Sequence, residues 1–227
     1  MTLGGHLEEF RFRLIICLIV IAGASIAAYA YIDEILPILS APAGKLYFLN
    51  PAEVFFAYIE IAVFTGLIVT LPVWCYELWR FIAPALHPSE RNAVWWLLPA
   101  AVFLFYAGLA FAYYAVFPAA VRFFMGFATD SLQPMFSLQS YLSFFLAFMI
   151  PFGFVFELPL VLFFLAKLGL VSSAFLKKKR KALIVVAFVV AGVVSPTTDV
   201  FTQTMIAVPM ILLYEISVFL VQHLLKK

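Results

Sequence analysis

Glu157 is the only charged residue in a long apolar run, with Tyr141 to Phe156 before it and Leu158 to Leu165 after it. At about 1.5 Å rise per residue it lies roughly 24 Å along a helix begun at Tyr141, inside the hydrocarbon of a membrane. A carboxylate at that depth costs about 2.5–3.5 kcal/mol to insert, so it marks a functional or gating group unless a neighbouring helix satisfies it. Pro151, Gly153 and Pro159 surround it. Pro159 has no N–H for the carbonyl of Val155, so the helix is expected to kink beside its own charge.

Two further constellations carry polar chemistry. Ser195, Thr197, Thr198, Asp199, Thr202 and Gln203 cluster near the start of the last apolar segment. Asp199 and Gln203 are four apart and share a helix face; Thr202 adjoins it. Asp199 also suits a helix N-cap, and both readings stand. Thr202 and Gln203 reach deeper, where polar side chains bind neighbouring or partner helices. Near the N-terminus, Glu9 and Arg13 are again four apart. As a simple surface pair they would be worth about 0.3–0.5 kcal/mol. Glu77, beside Trp79 and Arg80, is expected in an interfacial ion pair. Glu215 stands about two turns from the cytoplasmic end, where it would snorkel or pair.

Several chemistries are missing. The sequence has no Walker-type glycine loop and no HExxH. His6, His87 and His223 all fall near one face, which argues against a bis-histidine haem. Ser25 and Ser143 have no adjacent base to activate them. We expect no catalytic residue, no metal and no cofactor. Transport, translocation or assembly of other membrane proteins remains.

The elements that position these residues follow from composition. The 227 residues are 66% hydrophobic and 11% charged, where a soluble domain carries about 25% charge. The expected fold is an all-α integral membrane protein, a single polytopic domain over residues 1–227. Six spans are placed near Leu14–Tyr31, Val54–Trp79, Ala93–Phe117, Tyr141–Leu168, Ala182–Val194 and Val200–Leu220. With both termini inside, twelve of the fourteen Lys and Arg residues fall in cytoplasmic segments, leaving Lys45 and Arg122 outside. That bias fixes an N-in/C-in orientation. The run Lys177–Lys181 then serves as a topology anchor near anionic headgroups. The net charge of +2 gives no reason to expect nucleic acid.

Arg11 and Arg13 before an apolar stretch imitate a signal peptide, but about 18 apolar residues exceed the usual cleaved region, so a retained helix is expected. Cys17 and Cys75 sit inside spans as small packing residues. Ile32–Glu53 should form an ordered outer cap with short helical pieces. Phe81–Asn92 should be a compact cytoplasmic loop, with Ser89 as cap. Pro118–Ser140 reads as a second outer loop and Gly169–Lys181 as a basic inner one. The fifth span has only about 13 residues, roughly 20 Å against a core of about 30 Å. The fifth and sixth spans are therefore expected to be short and to thin the bilayer.

Five motifs in order along nearly the whole chain resemble the TatC family, the receptor subunit of the twin-arginine protein translocase. They are His6-Leu7-x-Glu9-x-Arg11-x-Arg13-Leu14; Trp79-Arg-Phe81-Ile-Ala-Pro84-Ala-Leu86 with Glu90-Arg91; Gly108-Leu-Ala-Phe111-Ala-Tyr113 with Pro118; Phe156-Glu157-Leu-Pro159; and Ser195-Pro196 with Asp199 to Gln203, Pro209 and Tyr214-Glu215. Glu60 departs from the family, where a lysine is frequent, as does Glu77, where a glutamine is.

The resemblance implies a protein of the bacterial or archaeal cytoplasmic membrane, or a thylakoid-type equivalent. It would bind twin-arginine signal peptides of folded cargo and recruit single-span TatA/TatB-type subunits. It would assemble with other copies of itself in the bilayer and use the proton-motive force. Glu9, Arg11, Arg13 and Glu90 would form the signal-peptide site. The glutamates would accept arginine bidentately, as lysine cannot be accepted. Glu157 would be the intramembrane polar or gating group, and Asp199, Thr202 and Gln203 the outer partner cluster. The rival is a small proton-coupled secondary transporter using Glu157. It would be favoured by inverted repeats, of which the sequence shows none.

Overall fold

The computed structural model describes residues 3–83, 88–131, 133–197 and 199–224, and they are almost wholly helical. In chain order they form α1 (Leu3–Ala30), α2 (Ile32–Ser40), α3 (Pro51–Val69), α4 (Leu71–Ile82) and α5 (Pro88–Phe111). A π-helical turn (Ala112–Val116) then leads to α6 (Phe117–Met125), α7 (Leu138–Val155), α8 (Leu158–Lys167), α9 (Ser173–Val194) and α10 (Val200–Leu224). Among the described residues, five stretches are long and apolar enough to cross a membrane: Gly5–Ala30, Pro51–Val69, Trp96–Met125, Leu138–Lys167 and Val200–His223. The remaining expected span, the fifth, is the apolar half of α9, whose first half carries Lys177–Lys181.

Prolines set the interruptions. The second expected span, Val54–Trp79, is two helices joined at Thr70 rather than one rod. Pro72 cannot donate to the Ile68 carbonyl. Thr70 closes the end instead, its hydroxyl donating to the Gly66 carbonyl at 2.7 Å, and the Trp74 indole N–H donates to the Leu67 carbonyl at 3.1 Å. The third span overruns its predicted end at Phe117, so the presumed loop from Pro118 is helical through Met125. A π turn absorbs the missing Pro118 donor, with the Phe117 N–H reaching back five residues to the Ala112 carbonyl. The basic loop likewise becomes helix from Ser173, capped by Ser172, whose hydroxyl accepts from the Phe175 N–H at 3.2 Å. α10 is helical over 25 residues, so the expected shortness does not extend to the helix length of the sixth span.

The chain divides into two compact units. The first comprises Met1–Val102 and Met135–Leu142. Its α1 packs along α3, and Ser25 fits against Gly66 where any side chain would collide. The outer cap is ordered as expected. α2 contains Pro37, Gly44 takes a positive φ of 76°, and Asn50 caps α3 through the Ala52 N–H at 3.0 Å. Tyr47 forms a parallel bridge to Ser137. The Gln139 side chain amide donates to Glu60 at 2.9 Å, which ties α3 to the start of α7.

The second unit comprises Phe103–Pro134 and Ser143–Lys227. Its centre is aromatic: Phe117, Phe145, Phe148 and Phe152 are all fully buried. Phe117 meets Phe145 edge-on at 5.1 Å, the favoured arrangement for two rings. A smaller cluster of Ala166, Leu176, Tyr214, Val218 and Val221 joins α8, α9 and α10. The Tyr214 hydroxyl donates to the Leu176 carbonyl there at 2.8 Å.

Candidate functional site

The cytoplasmic ends of α1 and α4, in the first unit, bring His6, Glu9, Arg13, Glu77 and Phe81 together. His6 stacks on Phe81 at 4.3 Å, and Phe10 leans on the same ring at 5.4 Å. One helical turn separates Glu9 from Arg13, which puts them on one face. The Arg13 guanidinium donates to Glu9 Oε1 from Nη2 at 2.5 Å and from Nε at 3.2 Å. Its Nη1 donates to Glu77 Oε2 at 2.8 Å. Glu77 is buried, and Glu9 Oε2 is buried without a hydrogen-bond partner.

This is more than a surface pair. Sequence neighbours suggested Arg80 for Glu77, yet Arg80 is exposed and the bond goes to Arg13, 64 positions away. Arg11 also lies on α1 and is exposed. Glu90 belongs to α5 by its backbone, but its side chain and Pro84 to His87 lie outside the described residues, as does the capping expected of Ser89.

In the second unit, α7 stops at Val155 and α8 resumes at Leu158, so the expected kink falls at Phe156 and Glu157. Pro159 sits in the first turn of α8, where a missing N–H is tolerated. The Glu157 carbonyl accepts from the Val161 N–H at 2.9 Å. Its side chain is half-buried, and its carboxyl forms no hydrogen bond or ion pair with any described residue. Phe111 packs on Phe152 and Phe156 at 5.9 and 5.5 Å, holding both sides of the turn.

The outer cluster of the same unit centres on Thr202, which is completely buried. Its N–H donates to Asp199 Oδ1 at 2.9 Å and its hydroxyl to Oδ2 at 2.7 Å. Asp199 is therefore the N-cap of α10. Partial burial alone would raise its carboxyl, but the hydroxyls of Thr197 and Thr202 and the Thr202 N–H hold it below the usual aspartate range. Ser195 and Thr197 reach the Thr202 hydroxyl at 3.0 and 2.8 Å. Gln203 does not join this network. Its amide lies over Gly192 on α9, where a Cβ would come within 2.7 Å of Nε2. Thr198 lies outside the described residues. Glu215 pairs rather than snorkels, accepting from Arg180 at 2.5 Å with both side chains nearly half exposed.

Comparison with known proteins adds identity to this geometry. Residues 5–209 match the family described as "Sec-independent protein translocase protein (TatC)". The protein of that name from Carboxydothermus hydrogenoformans is 42% identical, covering 100% of this chain and 95% of its own length. Its Escherichia coli counterpart is 39% identical, covering 94% of this chain and 85% of its own length. Among solved structures, a crystal structure of the twin arginine translocase receptor TatC in DDM superposes with a TM-score of 0.84 at 39% identity. It covers 95% of this chain and 99% of that one.

Proposed function

The chain belongs to the TatC family of Sec-independent protein translocase proteins, and from that membership we propose how its residues act in a twin-arginine signal-peptide receptor at the core of a translocase for folded proteins. It is a multi-pass protein of the cytoplasmic membrane and a transport component. The match to a solved twin arginine translocase receptor over 95% of the chain carries this reading. The proteins matched above are translocase components, and nothing in them supports a proton-coupled secondary transporter.

The residue roles are carried over from the family motifs, and the charge pattern agrees with them. Glu9 and Glu90 are the acceptors for the signal peptide's paired arginines, while Arg11 and Arg13 set the electrostatics around Glu9. A guanidinium binds a carboxylate through two parallel N–H bonds, an arrangement that an ammonium cannot match. Glu157, with its carboxyl unsatisfied inside the membrane, is a contact for the transmembrane helix of a single-span TatA/TatB-type subunit. Asp199, Thr202 and Gln203 hold the outer ends of α9 and α10 for such a partner. Further copies of the chain join the assembly, and transport draws on the proton-motive force.

Crosslinking and affinity measurements with a twin-arginine signal peptide test this reading. Glu9→Ala and Glu90→Ala should each weaken binding, by about 1–3 kcal/mol for a charge-assisted pair. A twin-lysine peptide should bind the parent less well. Unchanged affinity in the double variant would remove the mechanism.

A further inference from the structure

The non-helical segment between α2 and α3, in the first unit, exposes two large apolar side chains, Phe48 at 63% and Leu49 at 82%. Its polar groups are turned the other way. The Tyr47 N–H donates to the Phe136 carbonyl at 3.0 Å, and the Tyr47 carbonyl accepts from the Leu138 N–H at 2.7 Å. The Leu49 N–H donates to Glu53 Oε2 at 2.8 Å, and Glu53 Oε1 accepts from the Gln139 N–H at 2.8 Å. Both oxygens of the carboxylate are thus occupied by backbone donors. A segment that bonds its backbone internally and presents apolar side chains outward meets the condition for entering a low-dielectric layer.

The level of this segment follows from α1 and α3, which pack together. Tyr29 meets Tyr58 edge-on at 6.5 Å, so the two stand at similar depth. Arg13, bonded to Glu77 in the cytoplasmic patch, marks the inner boundary. From Arg13 to Tyr29 is about 24 Å of helix. A hydrocarbon core of about 30 Å therefore ends about 6 Å further out, near Val54 on α3. Phe48 lines one hollow with Val54 and Tyr58, so its ring stands at that boundary. Lys45 is exposed just upstream, where an ammonium suits the level of lipid phosphates.

We propose that Phe48 and Leu49 anchor the outer cap in the outer leaflet, inserting between lipid headgroups and the upper acyl chains. The occupant of this surface is lipid, because the patch continues into surface that the membrane span itself presents. Asn50, next to Leu49, shares a hollow with Phe56. Phe55 and Phe56 are both exposed in the first turns of the Pro51–Val69 span. The cap is then held by the bilayer as well as by α7, and the outer end of α3 is fixed at one depth.

The test uses the full-length chain in phosphatidylcholine nanodiscs, with the free cysteines Cys17 and Cys75 replaced by alanine. Single variants Phe48→Cys and Leu49→Cys carry a nitroxide, and its relaxation is measured with oxygen, which concentrates in lipid, and with a water-soluble nickel chelate. Ile26→Cys, exposed within the α1 span, sets the lipid value, and Asp130→Cys, exposed in the second outer loop, sets the water value. Labels at 48 and 49 should favour oxygen and shift from the Asp130 value towards the Ile26 value. The proposal is overturned if the nickel chelate reaches them as readily as it reaches Asp130→Cys, which places the cap in water. It is equally overturned if both probes are excluded, which means that protein, such as a second copy, covers the patch. Thermal unfolding of each labelled chain checks the fold. Should Phe48→Cys lower the Tm, the more exposed Leu49 decides the result.

Discussion

Gly108 on α5 lies against the carbonyl of Phe152 on α7, with the Cβ of Phe156 only 2.9 Å from where a Gly108 side chain would begin. The two backbones meet without intervening side chains at the last turn of α7, immediately before the break that carries Glu157. Close approach of this kind is how membrane helices associate when hydrophobicity supplies no driving force between them.

Gly108→Ala should therefore push the Phe152 carbonyl aside. Overpacking of this sort costs about 1–3 kcal/mol, and thermal unfolding in detergent would report it as a lower Tm. Gly23→Ala is the matched control, since nothing lies within 4 Å of a Cβ there. It should leave the Tm unchanged or raise it, because alanine is the better helix former.

Glu157 should matter as a polar group more than as a charge. Its unsatisfied carboxyl is open to a partner's polar side chain, and Gln preserves that capacity while Ala removes it. In a translocation assay Glu157→Gln should retain much of the activity and Glu157→Ala should lose it. If Gln is as inactive as Ala while folding and peptide binding persist, proton transfer at this position becomes the better account.

Asp199 links the start of α10 to pH. Its carboxyl is held below the usual aspartate range in the folded protein, so the charged form is the one that favours folding. The contribution is complete above the ordinary aspartate pKa, near 3.9, and is lost as pH falls through the lower folded value. Asp199→Ala removes the cap and should destabilise α10 by about 0.5–2 kcal/mol at neutral pH. Hydrogen exchange at the Thr202 amide, compared at pH 7 and under acid, would measure both effects.

α9 offers 13 apolar residues after its basic run, about 20 Å of helix. Bilayer around Ala182–Val194 should be thinner than the usual core of about 30 Å. Depth-dependent quenching of labels along this segment tests the expectation. It fails if both ends reach the headgroups of an undistorted membrane.

The topology was legible because membrane insertion writes it into simple signals: apolar length, proline position and the sidedness of Lys and Arg. The break beside Glu157 followed from Pro159 alone, and the Glu9–Arg13 pair from helical spacing. Tertiary choices were not legible in this way. Glu77 has a cation three residues away in sequence, yet it bonds Arg13 because α1 and α4 pack together. Gln203 shares a face with Asp199, yet the absence of a side chain at Gly192 draws it onto α9. The split at Thr70 was signalled by Pro72, and the polar side chains that close it, Thr70 and Trp74, could have been read alongside it.

The break also gives Glu157 a sidedness. From the outer end of its span at Leu138 the carboxyl-bearing turn lies about 28 Å along the helix, and from the cytoplasmic end at Lys167 about 15 Å. Along the chain Glu157 thus lies nearer the cytoplasmic end of its span than the outer end. A water molecule, proton or polar side chain following the span from the cytoplasmic end passes roughly half the helix length that one following it from the outer end passes.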